Sequence, residues 1–201
     1  MKKLHLIILI LALPVICIAQ KWELKKNEDG IAVYTAKLQD EKFKEIKVIC
    51  EFKGTIAQLI KIMQNVDHNK DWIYNNKVSY LINRKNRDTL TYYSEVSLPW
   101  PVSNRDLVMQ QCFIRDTVNK ALRIEVKTVT NVMPPKPKLV RVPYSLGLWT
   151  VKTMPNNKIR IEYIFSVDPG GSLPAWVVNF LATAGPFNTF KNLKALIETK
   201  K

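Results

Sequence analysis

The ten residues Lys158-Ile159-Arg160-Ile161-Glu162-Tyr163-Ile164-Phe165-Ser166-Val167 constrain the fold more than any other stretch. Ile159, Ile161, Tyr163, Phe165 and Val167 fall on one side of a period of two, opposite Lys158, Arg160 and Glu162. In a helix those five apolar side chains would be spread around the circumference; in a strand they make one face. A strand with one apolar and one charged face belongs to a sheet covered on one side only. The covering layer must then come from elsewhere in the chain.

The same period recurs. Ile31–Leu38 and Phe43–Phe52 are predicted as a hairpin, with Ile46, Val48, Cys50 and Phe52 opposite Glu45, Lys47 and Glu51. Further strands are expected at Val78–Asn83, Thr89–Leu98, Asp106–Arg115, Leu122–Thr130 and Val140–Lys152. Met133-Pro134-Pro135-Lys136-Pro137 is a stiff loop that cannot lie inside a sheet. Two segments have helical spacing. Thr55 caps a helix to Val66, with Ile56, Leu59, Ile60 and Met63 on one stripe, and Pro174–Thr199 is a long terminal helix interrupted by Gly185-Pro186. Trp22–Asp29 is polar and is expected to be a short helix or arm, and Asp67–Asn76 an irregular or short helical segment. The expected class is α+β, one domain over residues 20–201, with a curved antiparallel sheet gripping the terminal helix.

The first residues, MKKLHLIILILALPVICIAQ, have two lysines, an apolar run too short to span a bilayer and a small-x-small site ending at Ala19. They form a signal peptide over residues 1–19, so a secreted or periplasmic protein is expected. Lipid attachment at Cys17 and an uncleaved anchor are the rival readings, and Ile16 is a poor residue before a lipid-attachment site. The chain carries net charge +14, and losing Lys2 and Lys3 leaves +12. That excess suits passing contact with an anionic membrane surface, although most of the lysines are scattered as on any solvated surface. An exported protein is not expected to meet nucleic acid. Cys50 and Cys112 each sit in a strand pattern and are expected to be free thiols, though an exported pair can also form a disulfide. No metal-ligand spacing or phosphate-cradling loop is present, so no cofactor is expected.

Four stretches resemble the START (StAR-related lipid-transfer) family, a helix-grip fold, in the phosphatidylcholine-transfer style. They are Trp22-Glu23-Leu24 with Gly30–Tyr34; Asp67 with Asp71-Trp72; Pro99-Trp100-Pro101-Val102-Ser103-Asn104-Arg105-Asp106; and Asp168–Asn179. The resemblance covers Lys21–Lys201 and implies a hydrophobic tunnel between sheet and terminal helix, holding one lipid or similar molecule. It also implies that the helix and nearby loops act as a lid. Sterol-carrying members have a buried arginine where this chain has Gln111, so sterol preference does not carry over.

The candidate ligand-binding residues are Tyr92, Ser94, Arg105, Gln111, Trp149, Tyr163, Phe165, Trp176 and Phe180, with Tyr144 as a further wall residue. Trp176 and Phe180, four apart, are expected to face inward after a hinge at Asp168-Pro169-Gly170-Gly171. Arg105-Asp106 is either a head-group contact or a structural ion pair. His68, the one histidine after the leader, lies in a polar turn with no nucleophile in its motif. The expected function is binding, and possible transfer, of a hydrophobic molecule by a monomer without catalysis. The alternative is an enzyme of polyketide cyclase/aromatase type on the same grip fold.

Overall fold

The computed structural model describes residues 21–37 and 44–199. The expected signal peptide falls outside these residues. Among the described residues are ten strands: β1 (Glu23–Glu28), β2 (Ile31–Lys37), β3 (Lys44–Lys53), β4 (Asn76–Asn86), β5 (Thr89–Val96), β6 (Arg105–Asp116), β7 (Ala121–Thr128), β8 (Val140–Arg141), β9 (Tyr144–Met154) and β10 (Lys158–Asp168). The helices are α1 (Ile56–Gln64) and α2 (Ala175–Thr199), with a 3₁₀ turn over Val66–Asp71. The strands join in the order β1-β2-β3-β10-β9-β7-β6-β5-β4, and β8 lies parallel to the start of β6.

The chain leaves β3, crosses by α1 and the 3₁₀ turn to the far edge, and returns through β4 to β7. Thr55 starts the crossover with a reciprocal cap: its Oγ1 accepts from the Gln58 amide, and Gln58 Oε1 accepts from the Thr55 amide at 2.8 Å. The rule of alternate faces holds for the apolar residues of β2, β3 and the first half of β10. Ile31, Val33, Val48, Phe52, Ile159 and Ile161 are buried, and they pack in one core with Leu193 and Ile197 of α2. Gly54 makes that approach possible. A Cβ there would lie 2.4 Å from Ile197 Cγ2.

Three expectations are corrected. Trp22–Asp29 is not helical. Its residues form the edge strand β1, antiparallel to β2, with a register shift between Leu24 and Lys26. An edge strand exposed along most of its length has no apolar face to announce it, and its lysines suit an unpaired edge. Val140–Lys152 is not one strand, because Pro143 separates β8 from β9. Arg105 and Asp106 are not a pair. They are successive strand residues and point to opposite faces. Asp106, fully buried, accepts two bonds from Arg141 at 2.9 Å each, fastening β8 to β6. Cys50 and Cys112 are free.

The Asp106–Arg141 pair is therefore expected to matter more than the surface pairs. Arg141→Met leaves a buried carboxylate without its counter-charge and should lower unfolding free energy by about 3 kcal/mol in urea. Breaking Arg160–Glu51, 3.0 Å apart and about half exposed on both sides, should cost less than about 1 kcal/mol. Burial also pushes the Cys50 thiol well up. In the native protein Cys50 should resist alkylation at pH 8, and peptide mass mapping should show it labelled only after unfolding.

Candidate functional site

Towards β5 and β6 the interior is hollow. A cavity of about 290 Å³ separates the sheet from the first half of α2. Each strand supplies every second residue: Tyr92, Ser94 and Val96 from β5, then Arg105, Leu107, Met109 and Gln111 from β6. Gly147 and Trp149 come from β9, and Tyr163, Phe165 and Val167 from β10. Asn69, Trp72, Ile73 and Tyr74 form one wall, and Val178, Leu181, Ala182, Gly185, Pro186 and Thr189 the roof.

One aromatic group ends the cavity on the solid side. Phe190 of α2 stacks on Trp149 at 5.0 Å and tilts over Tyr163 at 5.4 Å. Trp149 and Tyr163 are 4.6 Å apart. Gly147 gives Tyr163 its place, because a Cβ there would sit 3.1 Å from the ring. The second half of α2 is tied down by polar bonds as well. The Tyr74 amide donates to Thr189 Oγ1 at 3.1 Å, Lys194 donates to the Asp29 carbonyl at 2.7 Å, and Lys191 pairs with Asp29 at 2.9 Å.

The cavity is apolar with a few polar points. Burial pushes the Tyr92 and Tyr163 phenols up, so both stay neutral at physiological pH. Gln111 donates to the Met63 carbonyl of α1 at 2.9 Å. Asn69 Oδ1 and Trp72 Nε1 are buried and have no hydrogen-bond partner, which leaves one acceptor and one donor on residues of the wall. Arg105 is the single cationic side chain among the described lining residues. It donates to three main-chain carbonyls: Ser103 at 2.6 Å, Gly170 at 3.0 Å and Pro169 at 3.3 Å. Gly170 and Gly171 both have φ above +60°, and Asp168 Oδ1 accepts from the Gly170 amide at 2.9 Å. Arg105 thus holds the turn that leads into α2.

Of the predicted residues, Tyr92, Ser94, Arg105, Gln111, Trp149, Tyr163 and Phe165 line the cavity together. Trp176 does not face inward. It is 52% exposed at the start of α2. Phe180 tilts over Tyr74 at 6.2 Å and is outside the lining. The inward stripe instead runs through Val178, Leu181, Ala182, Gly185 and Thr189, and the front of α2 is too uniformly apolar for the sequence to set its phase. Tyr144 is 51% exposed and is no wall residue. His68 is exposed and meets Asp71 at 2.9 Å on the surface. Asn69, Trp72 and Gly147 were missed. A glycine inside a strand pattern was the available signal for close approach at Gly147.

The START domain family model matches residues 19–201. The chain belongs to the START domain family. This START domain is 28% identical over 183 residues to an uncharacterized protein of Pseudomonas aeruginosa, covering 91% of the chain and 90% of that protein. It is 26% identical over 177 residues to the phosphatidylcholine transfer protein of Mus musculus, covering 86% and 81%. Among solved structures, a STAR-related lipid transfer protein fragment from Xanthomonas axonopodis superposes with a TM-score of 0.80 at 27% identity, covering 88% of this chain and 98% of that one. The curved antiparallel sheet with its C-terminal helix is thus the helix-grip arrangement of this START domain's structural neighbours.

Two substitutions should separate anchoring from capacity. Phe190→Ala removes the ring between helix and sheet and should cost about 3–5 kcal/mol in urea unfolding. Gly147→Leu places a branched side chain against Tyr163 at the cavity wall. It should cut uptake of an apolar fluorescent probe severalfold while the circular dichroism spectrum keeps its shape.

Proposed function

We propose that the protein is an exported, monomeric carrier that holds one lipid or similar hydrophobic molecule under α2 and exchanges it at a membrane surface. The observation that carries this reading is the cavity itself: about 290 Å³, apolar on most of its wall, with a few neutral hydrogen-bonding groups. That is the composition of a binding site for an apolar ligand, and its volume is close to the lower end of the usual range of roughly 300–1,000 Å³. Binding is driven by burial of apolar ligand surface at ~25 cal/mol per Å², and the polar points set orientation. The names of the relatives support the same reading. The described lining residues include no carboxylate, histidine or lysine. General acid–base chemistry would fall to phenols that burial holds neutral, which favours a carrier over a cyclase.

The exchange surface is the end held by Arg105. Two exposed tryptophans stand near it: Trp100, 89% exposed, in the loop between β5 and β6, and Trp176 at the start of α2. Leu98, from the Trp100 loop, and Leu173, in the turn before α2, line the cavity. Exposed tryptophans suit the interfacial zone of a bilayer, and the basic surface adds attraction to anionic head groups. Among the described residues no helix is long and apolar enough to cross a membrane. In this reading the front of α2 and the Trp100 loop open at the bilayer, while the second half of α2 stays docked.

Mass spectrometry of organic extracts from the native purified protein tests the carrier, with a stoichiometric hydrophobic molecule as the expected result. An empty protein that also fails to move labelled lipid between vesicles would overturn it. Trp100→Ala combined with Trp176→Ala should lower sedimentation with anionic vesicles and slow transfer by about tenfold, with thermal stability little changed, since both side chains are exposed.

A further inference from the structure

The charge balance of the cavity is incomplete. Arg105 is only 5% exposed, and burial depresses its pKa. Its own strand neighbour Asp106 faces the other way and is taken by Arg141. Among the described residues no carboxylate pairs with Arg105, and none lines the cavity. Three of the guanidinium's five N–H donors go to carbonyls, which supply partial charge but no counter-ion. A buried cation without an anion is costly to hold, and an acidic group entering the cavity would relieve that cost.

We propose that the molecule held here is an amphiphile with an acidic head, paired with Arg105, its chain lying along β6 towards Gln111. The inference rests on the carrier reading above and names the class of its ligand. Arg105, Leu107, Met109 and Gln111 are alternate residues of one strand face, so head and tail sites are roughly 20 Å apart at ~3.3 Å per residue. Between them the β6 face offers Leu107 and Met109. The far end closes on Gln111, which is neutral and already bonded to α1. The cavity volume of about 290 Å³ suits one chain better than two. The head site also has a mechanical consequence. Arg105 holds the Pro169 and Gly170 carbonyls, so an acid that draws on the guanidinium acts on the turn before α2. The head group is then sensed at the gate.

A carboxylate and an alkyl phosphate share the required chemistry, and they come from different sources, a free fatty acid or a phospholipid head. The test uses the full protein and four ligands of equal chain length: hexadecanoate, hexadecyl phosphate, hexadecan-1-ol and hexadecyltrimethylammonium, each displacing an apolar dye. At least one acid should bind about tenfold more tightly than the alcohol, and the better acid identifies the source. The ammonium compound should bind more weakly than the alcohol. In Arg105→Gln the ratio of acid to alcohol affinity should fall to about one, and Arg105→Lys, which keeps the charge, should retain most of it. If acids, alcohol and ammonium compound bind the wild-type protein alike, the cavity is a carrier site without charge selection and the inference is wrong, whether or not the variants fold. If none displaces the dye the inference is wrong, and if the protein also fails to move labelled lipid between vesicles the carrier reading falls with it.

Discussion

The contact of Phe190 with Trp149 and Tyr163 is the constraint on which the rest of the interior depends. It fixes α2 to the sheet near the helix's midpoint. Beyond it, Leu193 and Ile197 close a solid core with β2, β3 and β10. Before it, the helix roofs the cavity. One helix therefore has two tasks, separated by a single layer of stacked rings. Tying the second half to Asp29 and Tyr74 leaves the first half free to serve as a roof. Pro186 stands just on the roof side of the rings. Lacking an N–H, it cannot donate to the Ala182 carbonyl, so the helix is weakest where its two tasks meet.

Strand β6 divides polar duties in the same economical way. Its alternation sends Arg105 to the cavity and Asp106 to the outer layer, where Arg141 meets it. The two neighbouring charges in the sequence look like partners and are not. Each instead fastens a different part of the chain: Asp106 holds β8, and Arg105 holds the turn before α2. Both attachments converge on the Arg141–Gly170 region, where a Cβ on Gly170 would lie 3.1 Å from the Arg141 carbonyl.

What was legible in the sequence follows from periodicity. Residues 159 to 167 announced both the strand and its inner face, and the inner face proved to be cavity wall at Tyr163 and Phe165. Tyr92, Ser94, Arg105 and Gln111 were likewise placed by alternation on strands whose direction was clear. Period gives no help where both faces of an element are alike. Strand β1 is polar on both sides and the front of α2 is apolar on nearly all sides, so the pattern of the first reads as a short helix or arm and that of the second does not set its inward face. Asn69 and Trp72 lie in a 3₁₀ segment and its end, where no repeat is long enough to assign a direction. Their unpaired polar atoms are visible only once the surrounding side chains are in place.

The sheet order also governs how this chain can come to be folded. Strand β3 lies beside β10, and the Glu51–Arg160 pair joins residues 109 positions apart. The early hairpin β2–β3 thus presents one unpaired edge and an apolar face until the last strand and helix have been made. Contacts of such long sequence separation form slowly, because the entropy of closing the loop is lost before any of them is gained. The pairing of β3 with β10 is therefore expected late, and β10 and α2 complete a structure whose first strands have been waiting for them.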